Sequence, residues 1–113
     1  MVEVVFTDFF VKELRKKFSE KEGNDILDLL EKLKENPKKG KDLCFVGKTL
    51  LKEIKYKNFR FYFITDGYKV KFLQASELKD LLIKFVRMSE KKDQQKTIDE
   101  IKYVLRSLGD EGF

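Results

Sequence analysis

The stretch Leu50–Asp66 alternates apolar and polar side chains on both sides of Lys57-Asn58, and it constrains the fold more strongly than any other part of the sequence. Successive side chains of a β-strand point to opposite faces, so an alternation with a period of two predicts strands. The stretch is therefore predicted to form two strands that meet at Lys57-Asn58.

The same alternation assigns the side chains of the two strands to two faces. Phe59, Phe61 and Phe63 share one parity on the second strand, and we expect them to face a core. The polar side chains have the opposite parity. Pairing the strands with the Phe side inward predicts an exposed candidate site formed by Glu53, Lys55, Lys57, Arg60 and Tyr62.

The chain before this stretch begins with a predicted strand and a predicted helix. Val2–Phe6 is a short β-branched run, which is typical of a strand. Thr7 or Asp8 is expected to cap the helix that follows, because its side-chain oxygen can accept from the free amides of the first turn. Apolar residues recur every four positions on this helix, at Phe10, Leu14 and Phe18.

A second helix is predicted after Gly23, which interrupts the pattern of the first. Asn24 or Asp25 is expected to cap it. Asn36-Pro37 ends it, because proline cannot continue the hydrogen-bond ladder and disfavours helix in the residue before it. Its buried stripe is predicted to contain Ile26, Leu29, Leu30 and Leu33.

The remaining segments predict a connection, two further strands and a last helix. Residues 38–47 form a basic, glycine-containing connection, and Asp66-Gly67 has the chemistry of a tight hairpin turn. Tyr68–Leu73 is predicted to be a strand, residues 75–80 a turn or a single helical turn, and Leu81–Met88 another strand. The C-terminal helix is ended by Gly109 and carries Ile98, Ile101, Leu105 and Leu108 on one side.

The predicted order is therefore β-α-α-β-β-β-β-α. This order indicates an α+β domain that spans residues 1–113. The N-terminal strand and helical hairpin are expected to pack on one face of a twisted antiparallel sheet, with a C-terminal helix. The polar side of the sheet is expected to lie opposite the helices.

The composition excludes several classes of chemistry. The chain contains no His and only one Cys, Cys44, which excludes imidazole catalysis, His-ligated zinc and a disulfide framework. We expect no metal and no cofactor. The sequence has no apolar run near the about 20 residues of a membrane span and no signal-peptide pattern, so we expect a cytoplasmic protein.

Charge is spread unevenly along the chain. The net charge is +5, and 40% of the residues are charged, a balance typical of thermophile proteins. Residues 1–37 carry 7 basic and 9 acidic side chains, whereas residues 38–113 carry 18 and 11. A basic surface on the strand-rich part indicates nucleic acid or an acidic protein partner. The alternative is a solvated Lys/Glu surface that serves solubility and edge protection.

The polar set on the two strands suits the cleavage of RNA through its 2′-hydroxyl. That reaction needs a base, cations that stabilise the phosphorane, and an acid for the leaving oxygen. Lys55 or Glu53 is the candidate base. Arg60, together with Arg87 from the last predicted strand, is the candidate phosphate ligand. Tyr62 can stack on an unpaired base, or it can be a half-buried cross-strand partner.

Three motifs resemble the RelE/ParE toxin superfamily, and in particular its HigB-like, phage-derived branch. They are Leu-Leu-Lys-Glu-Ile-Lys, Phe-Arg-Phe-Tyr-Phe-Ile-Thr-Asp-Gly and Ile-Lys-Phe-Val-Arg-Met-Ser-Glu-Lys-Lys, and with the helical hairpin they cover nearly the whole chain. The resemblance implies a RelE-like fold and a toxin that a cognate acidic antitoxin holds inactive in a hetero-oligomer. It implies a metal-free, ribosome-dependent mRNA endonuclease.

The resemblance also implies roles for individual residues. Glu53 and Lys55 match the first motif, Arg60 the second and Arg87 the third, so these four are the candidate catalytic residues. The candidate RNA contacts are Lys57, Tyr62, Lys84, Lys91 and Lys92.

The sequence departs from the family pattern at three places. Met88 replaces a lysine, no His or C-terminal Tyr is present, and Tyr68–Asp80 has the appearance of an inserted hairpin arm. The alternatives are a ParE-like gyrase inhibitor and a non-catalytic domain that binds nucleic acid or a partner protein.

Overall fold

The computed structural model of the protein describes residues 2–89 and 95–109. No helix within these residues is long and apolar enough to cross a membrane. The chain has an α+β fold, which confirms the predicted class. Its described elements are β1 (Glu3–Phe6), α1 (Asp8–Lys17), α2 (Glu20–Glu31), a 3₁₀ turn (Lys32–Lys34), β2 (Lys41–Val46), β3 (Thr49–Tyr56), β4 (Phe59–Thr65), β5 (Lys69–Leu73), α3 (Ala75–Met88) and α4 (Gln95–Ser107).

The five strands form one mixed sheet in the order β1-β5-β4-β3-β2. β2, β3, β4 and β5 pair antiparallel, as expected for strands joined by short turns. β1 pairs parallel to β5, with Val4 opposite Val70. The prediction of a purely antiparallel sheet is therefore wrong at this edge, because β1 joins the far side of a strand that comes much later in the chain.

The Phe side of the sheet packs against α1 and α2, as predicted. Its core contains Phe10, Leu14, Ile26, Leu30, Phe61, Phe63 and Phe72. Thr7 caps α1 by accepting a hydrogen bond from the Phe10 amide at 3.1 Å. The predicted cap of α2 is wrong, since Ser19 accepts from the Glu22 amide at 3.2 Å and Gly23 lies inside the helix. A side-chain carbon on Gly23 would lie 3.3 Å from the Arg15 guanidinium, so this end of α1 lies close to Gly23.

The predicted strand Leu81–Met88 is wrong, because these residues complete the helix α3. Leu78 and Leu82 are fully buried and four residues apart, which is the spacing of a helical stripe. The Glu77 carboxylate accepts from the Gln74 amide at 3.0 Å and so fixes where the helix begins. A short apolar run has no period that separates a strand from a buried helix segment.

α3 and α4 cover the face of the sheet opposite α1 and α2. The core on this face contains Cys44, Leu51, Leu73, Leu78, Leu82, Ile101, Val104 and Leu105. The expectation that this face stays open is therefore wrong over most of its area. The predicted connection 38–47 is also wrong in part, since its apolar centre forms the edge strand β2.

The predicted hairpins are confirmed. Ile54 lies opposite Phe61 and Lys55 opposite Arg60 in the β3–β4 register. In the next turn, Asp66 accepts from the amides of Tyr68 and Lys69 at 2.9 and 3.0 Å. The strand after this turn, β5, lies between β1 and β4 in the sheet, so the segment 68–80 is part of the fold and not an added arm.

Candidate functional site

A cleft of about 320 Å³ lies where β4 has no strand beside it. β5 pairs with β4 from Tyr62 onward, with Leu73 opposite Tyr62, and the chain then turns into α3 at Ala75. The first half of β4, Phe59–Phe61, is therefore left without a strand on the side away from β3. We call this space, bounded by α1, the first half of β4 and the start of α3, the β4 cleft.

The β4 cleft has an apolar floor and a charged rim. Phe10, Leu14 and Phe61 lie at its floor and are buried in the core. Phe18, Phe59 and Leu73 also line it. The charged side chains of the lining are Glu13, Lys16, Lys17 and Arg60. Since three of these four charges are positive, the cleft is expected to attract an anion that carries an apolar or planar group.

Arg60 lies at the junction of this cleft with a smaller one. The smaller cleft is about 160 Å³ in volume and is lined by Lys55, Lys57, Asn58 and Arg60. Lys55 lies directly across the strand pair from Arg60, and both side chains are exposed. The register thus confirms the predicted placement of Lys55 and Arg60 on one face. Two adjacent cations on rigid strands can bind a phosphate group.

Glu53 and Tyr62 share this face but are less accessible than predicted, because α3 and α4 cover part of it. The two residues lie opposite each other in the register, and Glu53 is 8% exposed. The Glu53 carboxylate lies 3.9 Å from the Arg60 guanidinium. Burial raises the pKa of Tyr62, the charge of Glu53 raises it further, and Arg60 lowers it. The Tyr62 hydroxyl therefore stays protonated at neutral pH.

The strand alternation that predicts Lys57 on the same face as Lys55 does not hold for Lys57. β3 ends at Tyr56, and Lys57 has a left-handed φ of 53°, so the strand alternation does not extend to it. Its ammonium donates to the Glu22 carboxylate of α2 at 2.8 Å. This hydrogen bond and the charge of Glu22 raise the pKa of Lys57, and the bond from Lys57 lowers the pKa of Glu22. The ammonium of Lys57 is therefore bound to α2, on the face of the sheet that α1 and α2 cover.

The predicted placement of Arg87 and Lys84 on a last strand is wrong, because both belong to the helix α3. Both residues are exposed in the second half of α3, and Arg87 is about 18 Å along the helix axis from Ala75 at the β4 cleft. A side-chain carbon on Gly47 would lie 3.8 Å from the Phe85 ring, which places this end of α3 at the β2–β3 turn. That turn is at the opposite end of β3 from Lys55. Lys91 and Lys92 lie outside the described residues.

The lysines of α1 were not predicted as part of the site. The Lys17 ammonium lies over the Phe59 ring, 4.6 Å from its centroid. Lys17 is three residues after Leu14, and Glu13 is three residues after Phe10, so both flank the buried stripe of the helix. The sequence predicts the buried stripe of α1. The residues beside this stripe are those that lie next to the unpaired first half of β4.

The described residues contain no group of three or more His, Cys, Asp and Glu side chains placed to hold a metal ion. No family model, curated protein or solved structure compared with the chain matches it.

Proposed function

We propose that this protein is a RelE/ParE-type toxin that binds mRNA on the ribosome at the β4 cleft and cleaves it through the 2′-hydroxyl. The observation that carries the proposal is the position of Arg60, between an apolar cleft and a neighbouring lysine on the paired strand. The cleft accepts a planar base, and the cations hold the phosphate beside it. The resemblance of the motifs around Glu53 and Arg60 to the toxin superfamily supports the same activity.

The side chains of the site differ in the roles that they can take. Arg60 binds the scissile phosphate and stabilises the charge of the phosphorane. Lys55 is exposed beside it and gives a proton to the 5′-oxygen as the 2′-oxygen attacks phosphorus and the bond from phosphorus to the 5′-oxygen breaks, and the proton of the 2′-hydroxyl passes to water. Glu53 is almost buried and lies 3.9 Å from the Arg60 guanidinium, so its charge attracts the guanidinium and the carboxylate itself does not touch RNA. Tyr62 contacts the base next to the scissile phosphate.

The same cleft defines the partner that we propose for control of the toxin. A cognate acidic antitoxin binds in the cytoplasm as a hetero-oligomer, and its carboxylates occupy the rim formed by Lys16, Lys17 and Arg60. Opposite charges at such a rim speed association and favour this partner over basic proteins.

Cleavage of mRNA in a purified translation system tests the proposal. We expect ribosome-bound mRNA to be cut by the wild-type protein and to stay whole with Arg60→Ala. Arg106→Ala, which removes another exposed arginine from α4, is the matched control and is expected to cut normally. The proposal of an enzyme is wrong if the folded wild-type protein leaves ribosome-bound mRNA intact.

A non-catalytic RNA-binding domain is the second candidate. The burial of Glu53 and the absence of histidine favour it, because they leave few groups that can move a proton. In this case, RNA affinity falls steeply with salt, Arg60→Ala weakens it, and no cut fragment appears. A ParE-like inhibitor instead blocks gyrase and leaves mRNA whole. Assays of gyrase inhibition and of mRNA cleavage with the same protein preparation distinguish these outcomes.

A further inference from the structure

We propose that the β4 cleft is a nucleobase pocket in which Glu13 selects guanine. This inference rests on the proposed binding of RNA at Arg60 and adds the identity of the base beside the bound phosphate. It follows from the shape of the cleft, the position of one carboxylate and the hydrogen-bonding edges of the four bases.

The cleft has the form of a site for a small planar group. Its volume of about 320 Å³ lies at the lower end of the range typical of small-ligand sites. Phe10, Leu14 and Phe61 form the buried apolar part of the lining, and the half-buried Phe59 ring offers apolar contact to the face of a base. Arg60 lies at the rim, where the phosphate of the same nucleotide would remain in water. A base in the cleft and a phosphate at the rim fit one nucleotide of a single strand.

Glu13 is the one carboxylate among the described residues that line this cleft. Its side chain is 37% exposed, so water and a ligand can reach it. Its oxygen lies 3.6 Å from the Lys16 ammonium, longer than the about 2.8 Å of a charge-assisted hydrogen bond. An exposed pair of this kind is weak and is screened by salt. The carboxylate can therefore exchange this partner for a ligand that donates hydrogen bonds.

Guanine is the base whose edge matches a carboxylate. Its Watson–Crick edge presents two adjacent donors, N1–H and the N2 amino group, and a carboxylate accepts two parallel hydrogen bonds. Adenine, cytosine and uracil each place an acceptor beside their single donor on that edge, so an acceptor would face a carboxylate oxygen. When a base acceptor faces a carboxylate oxygen in a partly closed site, neither atom has a hydrogen-bond donor, and binding is weakened. The carboxylate thus favours guanine over the other three bases.

Binding of short single-stranded RNAs tests the inference without requiring cleavage. We use uridine pentamers that carry guanine, adenine, cytosine or inosine at the centre and measure their affinity by fluorescence anisotropy. The wild-type protein is expected to bind the guanine pentamer roughly tenfold more tightly than the adenine and cytosine pentamers, as is typical of a bidentate contact. Inosine lacks the N2 amino group, so the inosine pentamer is expected to bind several-fold more weakly than the guanine pentamer.

Two variants assign the preference to the carboxylate. Glu13→Gln is expected to bind all the pentamers with similar affinity and to make no distinction between guanine and inosine. Glu31→Gln is the matched control, because Glu31 also pairs with a lysine three residues later but belongs to α2 and does not line the cleft. Glu31→Gln is expected to keep the guanine preference.

The outcomes separate this inference from the proposed function. If the wild-type protein binds the four RNAs equally and Arg60→Ala weakens them all, guanine selection is wrong and RNA binding at Arg60 stands. If Glu13→Gln keeps the preference, Glu13 does not read the base. If no pentamer is bound at all, guanine selection by the protein alone is wrong, and the cleavage of ribosome-bound mRNA decides the proposed function separately. The comparison of guanine with inosine uses unaltered protein, so a folding defect in a variant cannot explain it.

Discussion

At the scale of single residues, the ion pair between Arg60 and Glu53 is exposed at one end and buried at the other. The Arg60 side chain is 57% exposed and that of Glu53 is 10% exposed. A shielded carboxylate acts on its neighbours with little screening from water. The charge of Glu53 therefore attracts the guanidinium 3.9 Å away and also acts on the Tyr62 hydroxyl.

Glu53→Gln is expected to lower the pKa of Tyr62. Burial, the largest cause of the raised pKa, stays in this variant, but the second cause, the negative charge of Glu53, is removed. The pKa of Tyr62 therefore falls but stays above its ordinary value. The change is measured by ultraviolet titration of tyrosine, as the difference between proteins with Tyr62 and with Tyr62→Phe in each background. An unchanged pKa of Tyr62 would show that Glu53 does not act on it.

Cys44 is expected to be unreactive in the folded protein. Its thiol is buried, and burial, together with the nearby charge of Glu100, raises its pKa to about 11. Since the thiolate is the reactive form, labelling by a thiol reagent at neutral pH is limited by unfolding. Adding denaturant is expected to accelerate labelling to the rate of a free cysteine. Fast labelling without denaturant would contradict the packing of Cys44 beneath α4.

At the scale of elements, a single carboxylate joins the starts of two helices. Glu77 accepts from the Gln74 amide at the start of α3 at 3.0 Å and from the Thr7 hydroxyl at 2.7 Å. The same Thr7 oxygen caps α1. Since both helix starts adjoin the β4 cleft, Glu77 helps to hold its two walls in place.

Glu77→Ala is expected to destabilise the protein by about 1–2 kcal/mol, the typical cost of losing a helix cap together with a partly buried hydrogen bond. Denaturant unfolding measures this change in the free energy of unfolding. Asp80→Ala is the matched control, because Asp80 is an exposed acid on the same helix. A loss no larger than that of the control would mean that the two hydrogen bonds of Glu77 contribute little.

The elements also show which parts of the fold local patterns can predict. The β3–β4 hairpin was predicted with its faces, because its alternation is long and its partner strand is adjacent in the chain. The alternation of Ile83 and Phe85 with Lys84 predicts a strand over Leu81–Met88, but it covers too few residues to exclude a helix. The stripe through Leu78 and Leu82 appears only when the polar residues 75–80 are included in the same element.

The β4 cleft could not be predicted from local patterns. Its existence depends on where β5 ends relative to Tyr62 and on which side of α1 meets the free half of β4. Both are consequences of packing between segments distant in sequence. Arg60 was predicted because its strand parity is local information, whereas Lys17 and Glu13 belong to the site only through the contact of α1 with the sheet.

At the scale of the whole molecule, helices pack on both faces of the sheet, and the β4 cleft lies at one end of its strands. Arg60 and Lys55 lie at the end formed by the β3–β4 turn, near the basic last turn of α1. Arg87 lies at the other end, beside the β2–β3 turn. The two ends are separated by the length of β3, so one phosphate cannot contact Arg60 and Arg87 together.

The salt dependence of RNA affinity distinguishes these two ends. For single-stranded RNA, each lost phosphate contact lowers the slope of log affinity against log salt by about 0.7. We therefore expect Arg60→Ala to reduce the slope by one such step and Arg87→Ala to leave it unchanged. An equal reduction by both variants would mean that the RNA path runs along α3, past the length of the sheet. A binding site confined to the β4 cleft requires that only the variant at Arg60 changes the slope, because only its guanidinium is within reach of a nucleotide held there.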